Sequence, residues 1–278
     1  MLLNDPKTIR AWTYYDWANS AYSLVITTAI FPLYYNSIVD NKINIFGFEI
    51  VSESLASYSI SLSFLIIAIL SPILSSIADY RGNKRSFMQF FCYLGSAACC
   101  AMYFFKREGT QEANVLYGLT CSVLASIGYC GSIVFYNAYL PEIAGKEKQD
   151  AVSAKGFAMG YIGSVLLMLV CFAFILLNDQ LGWNLKDYPA RISFVMVGIW
   201  WAGFAQITFR KLKPPKKQNL QSAAITGKVI SNGYRELQKV WNELQHYPTL
   251  KKFLLSFFFY NMGVQTVMYM ATYFASKE

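Results

Sequence analysis

Long apolar runs separated by short polar breaks fill this chain. Seven such runs are read: Trp12 to Val39, Ser54 to Ala78, Ser86 to Phe105, Asn114 to Leu140, Ala151 to Leu177, Arg191 to Arg210 and Lys252 to Ala275. Each reaches about 20 residues, the length a helix rising 1.5 Å per residue needs to cross a bilayer core. From Ser54 to Ile77, and again from Ser86 to Phe105, no residue is charged. The pattern predicts an all-α polytopic membrane protein. Between the second and third runs stands Ala78-Asp79-Tyr80-Arg81-Gly82-Asn83-Lys84-Arg85. A charge at the centre of a span costs about 2.5–3.5 kcal/mol, so this stretch is predicted as a loop at a membrane face. Pro32 is expected to kink the first span, and Asp40 to Glu53 to form a loop.

Composition agrees with the pattern. The chain of 278 residues is 55% hydrophobic and 14% charged, against about 25% charged in ordinary soluble domains. Its net charge of +8 comes from residues lying between the apolar runs rather than on one basic patch, which argues for membrane topology and against nucleic acid. Of the 24 Lys and Arg, 18 fall on the side holding the N-terminus, the loop after span two, the break after span four and the segment after span six. That bias predicts a cytoplasmic N-terminus. Met1 to Arg10 is mostly polar and does not read as a signal peptide. The six cysteines lie in apolar runs without zinc-ligand spacing and read as small buried hydrophobes; no metal or cofactor is expected.

The domain plan follows. Residues 1–211 are predicted to form a six-helix transmembrane bundle, 212–250 a cytoplasmic linker, and 251–278 the first helix of a further bundle. Pro214-Pro215 stops the sixth span. Within the linker Ile230, Tyr234, Leu237, Trp241 and Leu244 recur at helical spacing, with Lys228, Arg235, Lys239 and Glu243 opposite them. This predicts an amphipathic helix lying along the membrane or against the bundle.

The acid-x-Arg-Gly-x-Lys-Arg order of Asp79 to Arg85 resembles the loop between the second and third helices of major facilitator superfamily transporters. Four further stretches resemble the vacuole-effluxer-like family of permeases within it. They are Tyr15-Asp16-Trp17-Ala18-Asn19-Ser20-Ala21-Tyr22, Phe135-Tyr136-Asn137-Ala138-Tyr139-Leu140-Pro141-Glu142-Ile143, Val152-Ser153-Ala154-Lys155-Gly156-Phe157-Ala158-Met159-Gly160-Tyr161-Ile162-Gly163 and Tyr260-Asn261-Met262-Gly263-Val264-Gln265-Thr266. The resemblance implies the major facilitator fold, with two six-helix halves and a substrate site between them. Two departures stand out. The family often has an acid where Met262 stands, and many proton-coupled facilitators carry an Arg in the fourth span, which here has no basic residue.

The resemblance implies that Asp79, with Arg81, Lys84 and Arg85, latches the halves at one face, and Gly82 suits a tight turn. Asp16 and Asn19, three apart, read either as an N-cap and interfacial anchor or as a substrate or ion contact. Asn137 and Glu142 end span four, where capping competes with a role in the pathway. Gly156, Gly160 and Gly163 form a small-residue face for close helix packing. Asn261 and Gln265 share a helix face, with Thr266 about 100° further round, and read as hydrogen-bond glue or substrate contacts.

The predicted function is a secondary transporter of small solutes, with amino-acid efflux implied by the resemblance. Its partners are the lipid bilayer and a small-molecule substrate. A seven-helix receptor or a non-transporting membrane scaffold is the alternative; a receptor normally has its N-terminus outside. An enzyme is not expected, since no His, Asp or Glu pair lies in mid-membrane and His246 is in the linker. The location is an integral membrane, either a bacterial inner membrane or an endomembrane such as the vacuole. Because the chain stops after its seventh run, it is expected to lack a C-terminal half in cis and not to complete a transport cycle by itself.

Overall fold

A computed structural model of the chain describes residues 3–45, 47–81, 83–107, 110–180, 187–212, 235 and 238–275, with the side chains of 76–81, 179, 269 and 273–275 excepted. The chain is a bundle of long helices. α1 (Pro6–Ala21), a wider π-helical stretch (Tyr22–Ile30) and α2 (Phe31–Ile38) form one continuous rod. After it come the strands β1 (Lys42–Ile45) and β2 (Phe48–Val51), then α3 (Ser52–Arg81), α4 (Lys84–Ala101), α5 (Gln111–Ile143), α6 (Gln149–Gln180), α7 (Tyr188–Lys211) and α8 (Pro248–Ala275). α4 packs on α5 and α7, α1 packs on α6 and α7, and α3 packs on α5.

Five helical segments, Ser52–Ser75, Lys84–Phe104, Gln111–Ile143, Gln149–Asn178 and Tyr188–Lys211, are long and apolar enough to cross a membrane. The rod from Pro6 to Ile38 and the 28-residue α8 are also long enough. This makes the chain an all-α, polytopic membrane protein. One detail departs from the expectation: the loop after the rod contains an antiparallel hairpin, closed at the Ile45–Phe48 pair. Gly47 takes φ +84 there, a conformation glycine adopts without a Cβ clash. Ile43 and Ile45 turn inward by strand alternation.

The helix starts lie earlier than hydropathy placed them. α1 begins at Pro6, because Asp5 caps it: its carboxylate accepts from the Thr8 amide at 3.0 Å, the Thr8 hydroxyl at 2.6 Å and the Lys7 amide at 3.4 Å. The Thr8 hydroxyl, then the backbone amides, hold the exposed Asp5 carboxyl below its ordinary value. Asn4, at φ +64, ties this start to the α5–α6 turn: its amide donates to the Ile143 carbonyl at 2.8 Å, and its Oδ1 accepts from the Gly145 amide at 3.0 Å.

Before Pro32 the rod does not keep regular α-helical spacing. The stretch before it widens instead, with the Phe31 amide reaching back five residues to the Ile26 carbonyl. The widening absorbs a proline that has no amide proton to give. The charged turn is also shorter than expected. α3 continues to Arg81 and α4 starts at Lys84, so only Gly82 and Asn83 separate the helices.

Small residues let α4 and α5 cross closely. A Cβ on Gly128 of α5 would collide with the backbone of Gly95 and the Phe91 carbonyl of α4. Such contact lets backbones approach closely where dispersion rather than the hydrophobic effect holds helices together. All six cysteines are free thiols.

Candidate functional site

Asp16 lies in the middle of α1, more than two turns past the cap at Asp5, and is 8% exposed. It is therefore not an N-cap, and that reading is corrected. Its carboxylate accepts a hydrogen bond of 2.7 Å from the Tyr136 hydroxyl of α5. A buried carboxylate is costly unless hydrogen-bonded or paired, and among the described residues no cation pairs with it. Tyr136 is held in turn by Trp12. Their rings stack at 4.1 Å and 9°, and the Trp12 indole donates to the Tyr136 carbonyl at 3.0 Å.

The glycine stripe of α6 closes this cluster. A Cβ on Gly156 would strike the Asp16 carboxylate, the Tyr136 hydroxyl and Trp12; one on Gly160 would strike Ser20, and one on Gly163 would strike Trp17. Val152, Gly156, Gly160, Gly163, Leu167 and Cys171 are all buried and follow one another at steps of three or four. They form the stripe by which α6 seats on α1. The opposite face of α6, including Phe157, Tyr161 and Leu169, is exposed. The expected packing role of the three glycines thus takes a definite form inside the bundle.

Asn19 is 1% exposed. Its Oδ1 accepts from the Ser20 hydroxyl at 3.4 Å, while its Nδ2 has no partner among the described residues. Nearby, the Trp17 and Trp200 rings stack at 5.6 Å, and the Trp200 indole donates to the Trp17 carbonyl at 3.1 Å. α1 is thus the polar seam of an apolar bundle, facing α5, α6 and α7.

The other predicted residues lie elsewhere. Asn137 is exposed and sits inside α5, which continues past Pro141 to Ile143, so it caps nothing. Glu142 does not cap either: it pairs with Lys84 at 2.8 Å, tying α5 to the start of α4. Arg85 is half-buried, and its Nε has no partner among the described residues. Asp79 and Arg81 fall in the last turn of α3, but their side chains, and Gly82, lie outside the described residues. Asn261 and Gln265 are exposed on α8, and Thr266 donates to the Met262 carbonyl of its own helix at 2.8 Å.

Three participants were not among the predicted site residues. Tyr136 and Trp12 complete the Asp16 cluster; Tyr136 stands inside a quoted motif, but no local signal aims it 120 residues back. Thr272 of α8 donates to the Thr28 carbonyl in the widened turn before Pro32. Beside it, the Ser57 hydroxyl meets the Met270 sulfur at 3.3 Å. Two clefts of about 220 and 310 Å³ open at the end of the bundle that carries the hairpin. The first is lined by Asp40, Arg107 and Asn114, the second by Tyr34, Asn178 and Asp187. Neither reaches Asp16.

Comparison with known proteins places these features. A family profile described as "Vacuole effluxer Atg22 like" matches residues 4–278. The uncharacterized MFS-type transporter YxiO of Bacillus subtilis is 34% identical over 280 residues, covering 99% of this chain and 62% of that protein. Autophagy-related protein 22 of Gibberella zeae is 21% identical, covering 84% of this chain and 45% of its own length. Autophagy-related protein 22 of Neurospora crassa is 22% identical, covering 66% and 32%. The chain thus spans less than two thirds of these relatives. No solved structure matches. With its profile match running from Asn4 to the last residue, the chain belongs to the Atg22-like vacuole effluxer family.

Proposed function

We propose that these helices are the N-terminal bundle and first following helix of a secondary transporter that moves small solutes, amino acids among them, by alternating access. The observation that carries this reading is the seating of α8. It meets the bundle through Met270 and Thr272 near its C-terminal end, whereas residues 251–268 are exposed throughout. A helix held at one end and splayed at the other fits two halves that rock about a closed outer contact. The excess of Lys and Arg at the N-terminal end of the bundle supports a cytoplasmic assignment for the splayed side.

In this reading Asp16, Tyr136 and Asn19 form the polar seam around which α1 repacks, and Asn261 and Gln265 face the opened side. The pair Lys84–Glu142 braces the cytoplasmic ends of α4 and α5.

The test is solute flux in membrane vesicles from cells producing the protein, with labelled amino acids, sugars and nucleosides in separate arms. Saturable amino-acid movement, absent from vesicles of non-producing cells, is expected when a C-terminal half is supplied alongside the chain, and not from the chain alone. With that half present, no saturable movement in any arm overturns the transporter reading; movement of another class alone overturns the amino-acid part.

A further inference from the structure

Just before α8 the chain carries an apolar face that the described residues leave largely uncovered. Residues 238–244 are helical. Val240 and Trp241 are 59% and 61% exposed. The helix then tightens: the amides of Gln245, His246 and Tyr247 each reach back three residues, to Asn242, Glu243 and Leu244, at 3.3, 2.9 and 3.1 Å. In such a turn residues three apart eclipse, so Tyr247, 62% exposed, continues the face of Leu244. The Lys251 amide bonds to the Tyr247 carbonyl at 3.0 Å, so the turn feeds directly into α8.

The opposite face, Glu243 apart, and the flanks are basic. Arg235 and Lys239 are exposed, as are Lys251 and Lys252 in the first turn of α8. From Arg210 to Lys252 there are ten Lys and Arg against two Glu. Aromatic rings and aliphatic side chains on one side and cations on the other, joined without a spacer to a long apolar helix, are the features of a segment lying in the headgroup layer. The sequence left open whether this helix lies on the membrane or against the bundle; the exposure of Val240, Trp241 and Tyr247 among the described residues supports the first option.

We infer that Val240, Trp241, Leu244 and Tyr247 dock into an anionic lipid surface, with Arg235, Lys239, Lys251 and Lys252 on the headgroups. The surface thereby sets the angle at which α8 leaves the linker. The inference requires α8 to enter the bilayer but does not require the protein to transport anything.

The experiment places the full chain in nanodiscs of phosphatidylcholine alone or with phosphatidylglycerol, with and without brominated acyl chains. The contribution of Trp241 is read as the difference between the wild type and Trp241→Phe. Quenching of that contribution by brominated lipid is expected in phosphatidylglycerol discs, weakening with added salt. Combined Arg235→Glu and Lys239→Glu removes it in part; each cation lost lowers the docked-to-free ratio about fivefold, the equivalent of about 1 kcal/mol. Equal quenching in both lipids with no salt dependence overturns the anionic surface. Trp241 remaining open to aqueous iodide in both overturns docking altogether. Flux is not read, so a failure here is separate from a failure of the transporter reading.

Discussion

The Tyr136 hydroxyl, on α5, donates to the Asp16 carboxylate, on α1, across 120 residues of sequence and 2.7 Å of space. Gly156 on α6 leaves room for both groups, so three helices meet at one hydrogen bond. Tyr136→Phe strips Asp16 of its donor and is expected to destabilise the bundle by about 1–3 kcal/mol. Asp16→Asn keeps an oxygen that accepts the same proton and is expected to cost less. Thermal unfolding in detergent orders the two variants; a larger loss for Asp16→Asn contradicts this account.

The stripe on α6 makes a second prediction. Gly156→Ala places a methyl group against Asp16, Tyr136 and Trp12 and is expected to cost about 1–3 kcal/mol. Gly203 of α7 has nothing within 4 Å of a Cβ, so Gly203→Ala is expected to be neutral or mildly stabilising, by up to about 1 kcal/mol. Both are glycines inside helices, so propensity alone predicts equal effects. Unfolding midpoints decide between propensity and contact.

Lys84 and Glu142 test how much the ion pair between α4 and α5 contributes. Their side chains are 18% and 40% exposed, so solvent screens them and the coupling energy is expected at about 0.2–1 kcal/mol. A double-mutant cycle with Lys84→Met and Glu142→Gln measures it, and added salt lowers it. A salt-independent coupling well above that range would show the pair to be desolvated.

At the other end of the bundle, Thr272 and Thr28 join α8 to the rod. Thr272→Val is expected to weaken this contact by about 0.6 kcal/mol, the mean found for hydrogen bonds between membrane helices. Cysteines at 28 and 272, in a background without the native ones, are expected to crosslink and thereby to trap one state. Crosslinking that leaves flux unchanged would show that the contact does not move.

Asp5 supplies a prediction about pH. Its folded carboxyl lies below the ordinary value because Thr8 and the first backbone amides hydrogen-bond the charged form. The cap is therefore complete above the unfolded carboxyl value and is lost as pH falls through the lower, folded one. Hydrogen exchange at the Thr8 amide is expected to rise over that acidic window, and Asp5→Ala to show the raised exchange at every pH.

The sequence by itself determined the helices. Their length, the absence of charge along Ser54–Ile77 and Ser86–Phe105, and the glycines at 156, 160 and 163 follow from what a bilayer tolerates, and each is a local property of the chain. The partners of the polar residues were decided by tertiary structure alone. Asp16 and Tyr136, Lys84 and Glu142, and Thr28 and Thr272 are separated by 58 to 244 residues, and periodicity states which face is polar without stating which helix meets it. That is why Asp16 read equally well as a cap, why Glu142 read as a helix end, and why Tyr136 went unassigned. Exposure divides in the same manner: an amphipathic repeat is visible in Tyr234, Leu237, Trp241 and Leu244, but only the packed bundle, by leaving Trp241 bare, shows which surface is left for it to meet.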